Sequence, residues 1–233
     1  MRSAFITATD TGVGKTLVTG ALAWCLRERG EDVGCYKPVQ SGDLLHDETG
    51  DVCRLKALSG LPDPVERIGR YAFAEPLAPR LAAERAGSPL LLADLLAAFD
   101  EVRGDHARWL VEGAGGLAVP LTTDATVADL AAQLGYPLLI VARAHLGTVN
   151  HTVLTVRYAE SLGLRVAGVI LSGGKGAAHD LSEAYNAAYI EEYANVPVLG
   201  HVPWLGDLPS VQTVRDSVRA HVDLDRVDSC MNF

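Results

Sequence analysis

Short, mostly apolar runs alternate along the chain with longer stretches in which apolar residues recur every third or fourth place. The first pattern predicts strands buried on both faces, the second amphipathic helices. Ser3 to Thr9 (SAFITAT) reads as a strand, and Thr16 to Arg29 as a helix with the stripe Leu17, Ala21, Leu22 and Cys25, stopped by Gly30. Val33 to Lys37 (VGCYK) reads as a second strand, ended by Pro38. A polar loop, SGDLLHDETG, then leads to a helix from Asp51 to Leu58. Pro76 to Arg103 reads as helical in two pieces, and Trp109 to Glu112 (WLVE) as a strand entering GAGG. Helix Val127 to Leu134, strand Pro137 to Ala142, helix Asn150 to Leu162 and strand Val166 to Ser172 follow. A helix near Leu181 to Tyr193 and a strand from Pro197 to Val202 close the series; past Gly206 no usable motif remains. Such alternation predicts an α/β fold, a single-domain doubly wound, mostly parallel sheet with helices on both faces. Ligands of such sheets bind beyond the carboxyl ends of the strands.

Composition narrows the function classes. The 233 residues are 48% hydrophobic and 21% charged, the balance of a globular domain with a large core. No run approaches the roughly 18 apolar residues of a membrane span. The richest, PLLIVA, meets Arg143 at once, and the apolar part of MRSAFITATD is too short for a secretion signal. Cys25, Cys35, Cys53 and Cys230 have neither CxxC nor metal spacing, which suits a reducing cytoplasm. The net charge of −9 argues against nucleic acid as partner, while a few lysines in one cleft still suit an anionic small substrate.

The candidate chemistry begins at ATDTGVGKT, residues 8 to 16. A phosphate loop is usually G-x-x-x-x-G-K-[ST]. Counted back from Gly14-Lys15-Thr16, the first glycine falls on Thr9. The stretch nevertheless lies between a predicted strand and a predicted helix, as such a loop must, so it reads as a variant rather than a decayed site. Gly12 and Gly14 let the backbone approach an anion, Lys15 reaches outer phosphates and the Thr16 hydroxyl can ligate Mg²⁺. In YKPVQSG, Lys37 ends a strand; alone it is a surface charge, beside a phosphate loop a candidate second cation, with Ser41 a nearby hydroxyl. Glu112, in WLVEGAGG, is open to a salt bridge or a metal, and Asp51 to a helix N-cap or a metal. In LGTVNH, Gly147, Thr148, Val149 and Asn150 open a helix whose free N–H groups suit a carboxylate, or simply a cap. His151 reads as structural.

Together, TDTGVGKT, YKPVQSG and VEGAGG, with EPLAP (75–79), LGTVNH (146–151), VAGVIL (166–171) and PVLGHVPW (197–204), resemble the dethiobiotin synthetases of the biotin pathway, members of the P-loop NTPase superfamily. The resemblance runs from residue 3 to about 205, and YKPVQSG with VEGAGG is its specific part. It implies an ATP- and Mg²⁺-dependent ligase that joins CO₂ or bicarbonate to 7,8-diaminopelargonate and closes the ureido ring. By the same resemblance Gly12, Val13, Gly14, Lys15, Thr16 and Leu17 would hold the triphosphate, and Thr16, Asp51 and Glu112 the metal. Lys37, with Lys15 beside it, would be catalytic; Thr11 and Ser41 would approach the substrate; Glu112, Gly113, Ala114 and Gly115 would line the nucleotide site. Gly147 to Asn150 would receive the substrate carboxylate from a second subunit, which implies a homodimer with active sites at the interface.

Two positions depart from the family pattern. Ala8 replaces a usual glycine, and in VILSGGKG Ser172 and Gly173 stand where an asparagine commonly reads adenine. A serine lacks the paired donor and acceptor of an amide, so base selectivity is either looser or rests on backbone groups around Val202, Pro203 and Trp204, with Leu205 beside them in the nucleotide site. Rival readings are weaker. A cobyrinate-type amide synthetase needs a glutaminase domain this chain is too short to hold. A ParA- or MinD-like switch ATPase usually begins its loop KGGxGKT, and that reading leaves Lys37 and EPLAP unexplained.

Overall fold

The computed structural model describes residues 3–173 and 180–231, so Gly174, Lys175 and Gly176 of VILSGGKG lie outside it. Seven parallel strands form one sheet: β1 (Ala4–Ala8), β2 (Val33–Ser41), β3 (Gly69–Phe73), β4 (Arg108–Gly116), β5 (Leu138–Arg143), β6 (Val166–Ser172) and β7 (Val198–Val202). Their order is β3-β2-β4-β1-β5-β6-β7. The central strands are apolar on both faces because both are covered. One face packs on α1 (Lys15–Glu28), α2 (Asp51–Ser59), α9 (Val211–His221) and α10 (Leu224–Met231) through Leu22, Leu26, Leu55, Val218 and Met231. The other packs on α5 (Leu92–Asp100) and α6 (Val127–Leu134) through Leu95, Phe99 and Leu130, and on α7 (Thr148–Ser161) and α8 (Glu183–Ala194) through Val156 and Ile190. Two shorter helices, α3 (Val65–Ile68) and α4 (Pro79–Arg85), flank the β2–β3 edge. Among the described residues no helix is long and apolar enough to cross a membrane.

Three elements differ from the sequence reading. β2 does not end at Pro38 but runs to Ser41. It pairs with β4 only from Val33 to Tyr36, and from Lys37 onward with β3. The amide that proline lacks would face a strand that has already turned away, so the residue costs no ladder bond. β3 itself was not foreseen, since as an edge strand it is buried only at Gly69 and Phe73. The tail past Gly206 forms α9 and α10, whose Val214, Val218, Val227 and Met231 complete the core.

Candidate nucleotide and metal site

β1 delivers the chain to the phosphate loop. The Thr9 amide donates to Val141 O at 3.1 Å, so residue 9 continues the ladder and needs no glycine. The left-handed turns fall instead at Gly12 (φ 73) and Gly14 (φ 91). Gly14 is the N-cap of α1 and leaves the first amides of the helix without a side-chain cap, facing the cleft. A Cβ on Gly14 would lie 2.6 Å from Ser172 Oγ, so the end of β6 braces the loop.

Thr16, one residue into α1, meets one acid from the start of α2 and one from β4. Its hydroxyl is 2.9 Å from Asp51 Oδ1 and 2.8 Å from Glu112 Oε1. Lys37 Nζ lies 2.5 Å from Asp51 Oδ2 and 2.7 Å from Glu112 Oε1. The register produces this meeting: Tyr36 pairs Val111, and at the next step the two strands part with Lys37 and Glu112 facing each other. Asp51 does not cap its helix, because Gly50 is the N-cap and Asp51 the first helical residue, its carboxylate turned to Thr16 and Lys37. Glu112 is indeed salt-bridged, as one of its two readings required, and it is fully buried.

Electrostatics follow the geometry. Burial is the strongest single influence on Lys37 and pulls it down, yet Glu112 and Asp51 together hold it above the ordinary lysine value. Burial likewise pushes Asp51 up, but the Lys37 charge and hydrogen bonds from Lys37 and Thr16 keep it below the usual carboxylate value. Lys15 is lowered by burial first and by the Lys37 charge second. Among the described residues no hydrogen bond or ion pair holds its ammonium. Glu112 Oε2 is buried without a partner. An orphaned carboxylate oxygen beside a second carboxylate and a hydroxyl is the hard-oxygen donor set that Mg²⁺ takes when substrate phosphates complete its shell. Among the described residues no set of three His, Cys, Asp or Glu side chains converges, so phosphates would have to complete any such site.

A cavity of about 640 Å³ opens here. Thr11 to Leu17, Lys37, Ser41, Asp51, Ala114, Gly115, Ser172, Gly173, Pro203, Trp204 and Leu205, all foreseen, line it. Of the residues expected there, the fully buried Glu112 and Gly113 do not line it; a Cβ on Gly113 would meet Phe5 and Val127 at 3.0 Å. At one end the Ser41 hydroxyl donates to Leu77 O at 2.7 Å, tying β2 to EPLAP, whose Pro76 to Pro79 form a wall. At the other, Gly173 N donates to Val202 O at 2.7 Å, and Gly173 packs against the Trp204 backbone too closely for a Cβ. Gly147 and Val149 line a different, open hollow of about 620 Å³, with Leu146, Tyr185, Tyr189 and Tyr193. Thr148 and Asn150 belong to the same uncapped start of α7, which has Gly147 (φ 96) as N-cap. The polar cavity residues that the sequence did not single out include Gln40, whose Oε1 accepts from Val52 N at 2.9 Å and so fixes the start of α2, and Arg54 on that helix. Gln40 stands inside YKPVQSG and was within reach; Arg54 belongs to no motif.

Residues 2–212 match the family model described as AAA domain. The chain is 48% identical over 228 residues to the ATP-dependent dethiobiotin synthetase BioD of Bacillus thuringiensis (strain Al Hakam), covering 98% of this chain and 94% of that protein. It is 47% identical over the same span to the protein of the same name from Bacillus cereus (strain B4264). Among solved structures, the MinC:MinD cell division protein complex of Aquifex aeolicus aligns with a TM-score of 0.56 at 15% identity, covering 98% and 93% of the two chains. The septum site-determining protein MinD complexed with Mg-ADP from Pyrococcus horikoshii OT3 gives 0.55 at 17%, covering 98% and 94%. At such identities the structural likeness carries the fold alone.

Proposed function

The chain belongs to the ATP-dependent dethiobiotin synthetases, ligases of biotin synthesis, and we propose that it joins CO₂ to 7,8-diaminopelargonate at the Lys37–Glu112 cluster. The observation that carries this reading is the convergence of Thr16, Asp51, Glu112 and Lys37 at the mouth of the phosphate loop. Thr16, Asp51 and Glu112 would hold Mg²⁺, whose contribution is neutralisation of phosphate charge.

The chemistry asks little else of the protein. One substrate amine adds to CO₂ and loses a proton, giving a carbamate. A carbamate oxygen then takes the γ-phosphoryl group of ATP, releasing ADP and leaving a carbamic–phosphoric anhydride. The second amine attacks its carbonyl carbon, phosphate departs, and the ureido ring closes. The difficult step brings two anions together, a matter of positioning and fixed positive charge. Lys37, held above its ordinary pKa, stays charged in the buried site, and Lys15 and the uncapped α1 amides face the same cleft. Thr11 and Ser41 would orient the diamine against the wall formed by Pro76 to Pro79. The start of α7 would take the substrate carboxylate from the other subunit of a homodimer, since Gly147 and Val149 line a hollow other than the nucleotide cavity. The free thiols of Cys25, Cys35, Cys53 and Cys230 suit a cytoplasmic location.

The test is phosphate and nucleoside diphosphate release with Mg²⁺, bicarbonate and each nucleoside triphosphate in turn, with and without the diamine, while mass spectrometry follows dethiobiotin. Diamine-dependent release with product supports the reading. Hydrolysis indifferent to the diamine, without product, would move the assignment to a nucleotide switch.

A further inference from the structure

We propose that Arg54 is a third cation of the nucleotide site and binds the polyphosphate, an inference that rests on the nucleotide reading above. Arg54 lies on α2 three residues beyond Asp51, one turn along the same face, and lines the same cavity as Lys15 and Lys37. Its side chain is half-buried, and its backbone amide continues the helix by donating to Gly50 O at 3.0 Å. Among the described residues its guanidinium makes no hydrogen bond, ion pair or ring contact. That isolation is unlike the arginines on neighbouring α9. Arg215 donates to Leu58 O and Ala57 O at 2.8 Å and stacks on Trp24, and Arg219 covers the same ring and pairs with Asp216.

The charges of the cavity leave work for such a group. The carboxylates of Asp51 and Glu112 offset the charges of Lys37 and Lys15 one for one, so the two lysines bring no net positive charge to the cluster. A triphosphate remains anionic with one divalent cation bound, and a planar guanidinium that spans two oxygens answers that charge better than solvent does. The helix that carries Arg54 is a fixed platform. Gln40 pins its first turn, Val52 and Leu55 on either side of Arg54 are fully buried, and α2 packs on α1 where Gly20 meets Leu58. A flexible rim charge has no such support.

Calorimetric titration of the full chain with ATP, ADP and AMP, each with Mg²⁺, tests this in wild type, Arg54→Gln and Arg54→Lys. Arg54→Gln is expected to weaken ATP and ADP by roughly 10- to 100-fold and AMP by much less, with Arg54→Lys between. In turnover assays KM for ATP should rise by more than kcat falls. Unchanged Kd for ATP and ADP would overturn the proposal, as would an equal loss for AMP, which would put the guanidinium on the sugar or base. Because Arg54 supports no other side chain, both variants should melt as wild type does; were Arg54→Gln to misfold, Arg54→Lys alone still reads the phosphate dependence. Arg54-dependent affinity in a wild type that makes no dethiobiotin would sink the synthetase reading and leave this one standing.

Discussion

Lys37 Nζ and Glu112 Oε1 lie 2.7 Å apart where their two strands cease to pair, both side chains buried. Removal of Lys37 strips the buried Glu112 carboxylate of its ion-pair partner, whereas removal of Glu112 leaves Lys37 paired with Asp51. Lys37→Ala should lower kcat about 100- to 1000-fold, the scale of losing one fixed cation at a developing charge, while ATP affinity changes far less. Steady-state kinetics with a parallel binding titration checks the split. Unchanged turnover would remove Lys37 from the chemistry.

Gly14 and Ser172 make a second tight pair. Gly14→Ala places a Cβ 2.6 Å from Ser172 Oγ and forces a side chain into φ 91. The conformational part should cost about 1–2 kcal/mol, with a further loss from the clash. Adding Ser172→Ala should recover the clash and leave the conformational part, a non-additivity visible in paired denaturation curves. Additive effects would mean that the loop and the end of β6 move independently.

Asp32 carries a pH signature. Hydrogen bonds from His106 (2.6 Å) and Ala107 N (2.9 Å) hold its carboxyl below the usual value, with the His106 charge and Arg27 helping. A carboxyl whose pKa is depressed on folding contributes stability that is present above its unfolded value and is lost as pH falls through the lower folded one. Asp32→Asn should therefore cost stability at neutral pH, no more than about 1 kcal/mol for so exposed a pair, and the difference from wild type should vanish in acid. Thermal melts from pH 7 downward would show it.

Tyr185, Tyr189, Tyr193 and Leu154 leave α7 and α8 with an exposed aromatic face around the second hollow. If that face joins two subunits, sedimentation should give twice the 24.7 kDa of one chain, and Tyr189→Glu should give one. A monomer that makes dethiobiotin at full rate would refute the dimeric site.

The parallel sheet was legible because buried strands are apolar on both faces, and the Thr16, Lys37, Asp51 and Glu112 cluster because each stands in a polar or glycine-rich motif next to such a strand or at a helix start. What escaped notice lacked those marks. β3 has Arg70, Tyr71 and Ala72 partly in solvent, as an edge allows, so its run looked like loop. Pro38 argued for a strand end because one strand does not announce that its neighbour will change. For α9 the signal existed in Val211, Val214, Val218 and Val222 at helical spacing, and for α10 in Leu224, Val227 and Met231, but neither stretch carries a motif. Arg54 is marked by the partners it lacks, and a lack cannot be read from a sequence.

The fork between β2 and β4 divides the cavity by allegiance. Ser41 and the wall from Pro76 to Pro79 belong to the β2–β3 edge, while the phosphate loop and Glu112 belong to the β1–β4 interior. Past Tyr36 and Val111 the β2–β4 ladder stops, and the Lys37–Glu112 ion pair, with Asp51 between Lys37 and Thr16, joins the two parties. The two halves of the cavity are therefore held to each other there by side chains and not by a strand ladder.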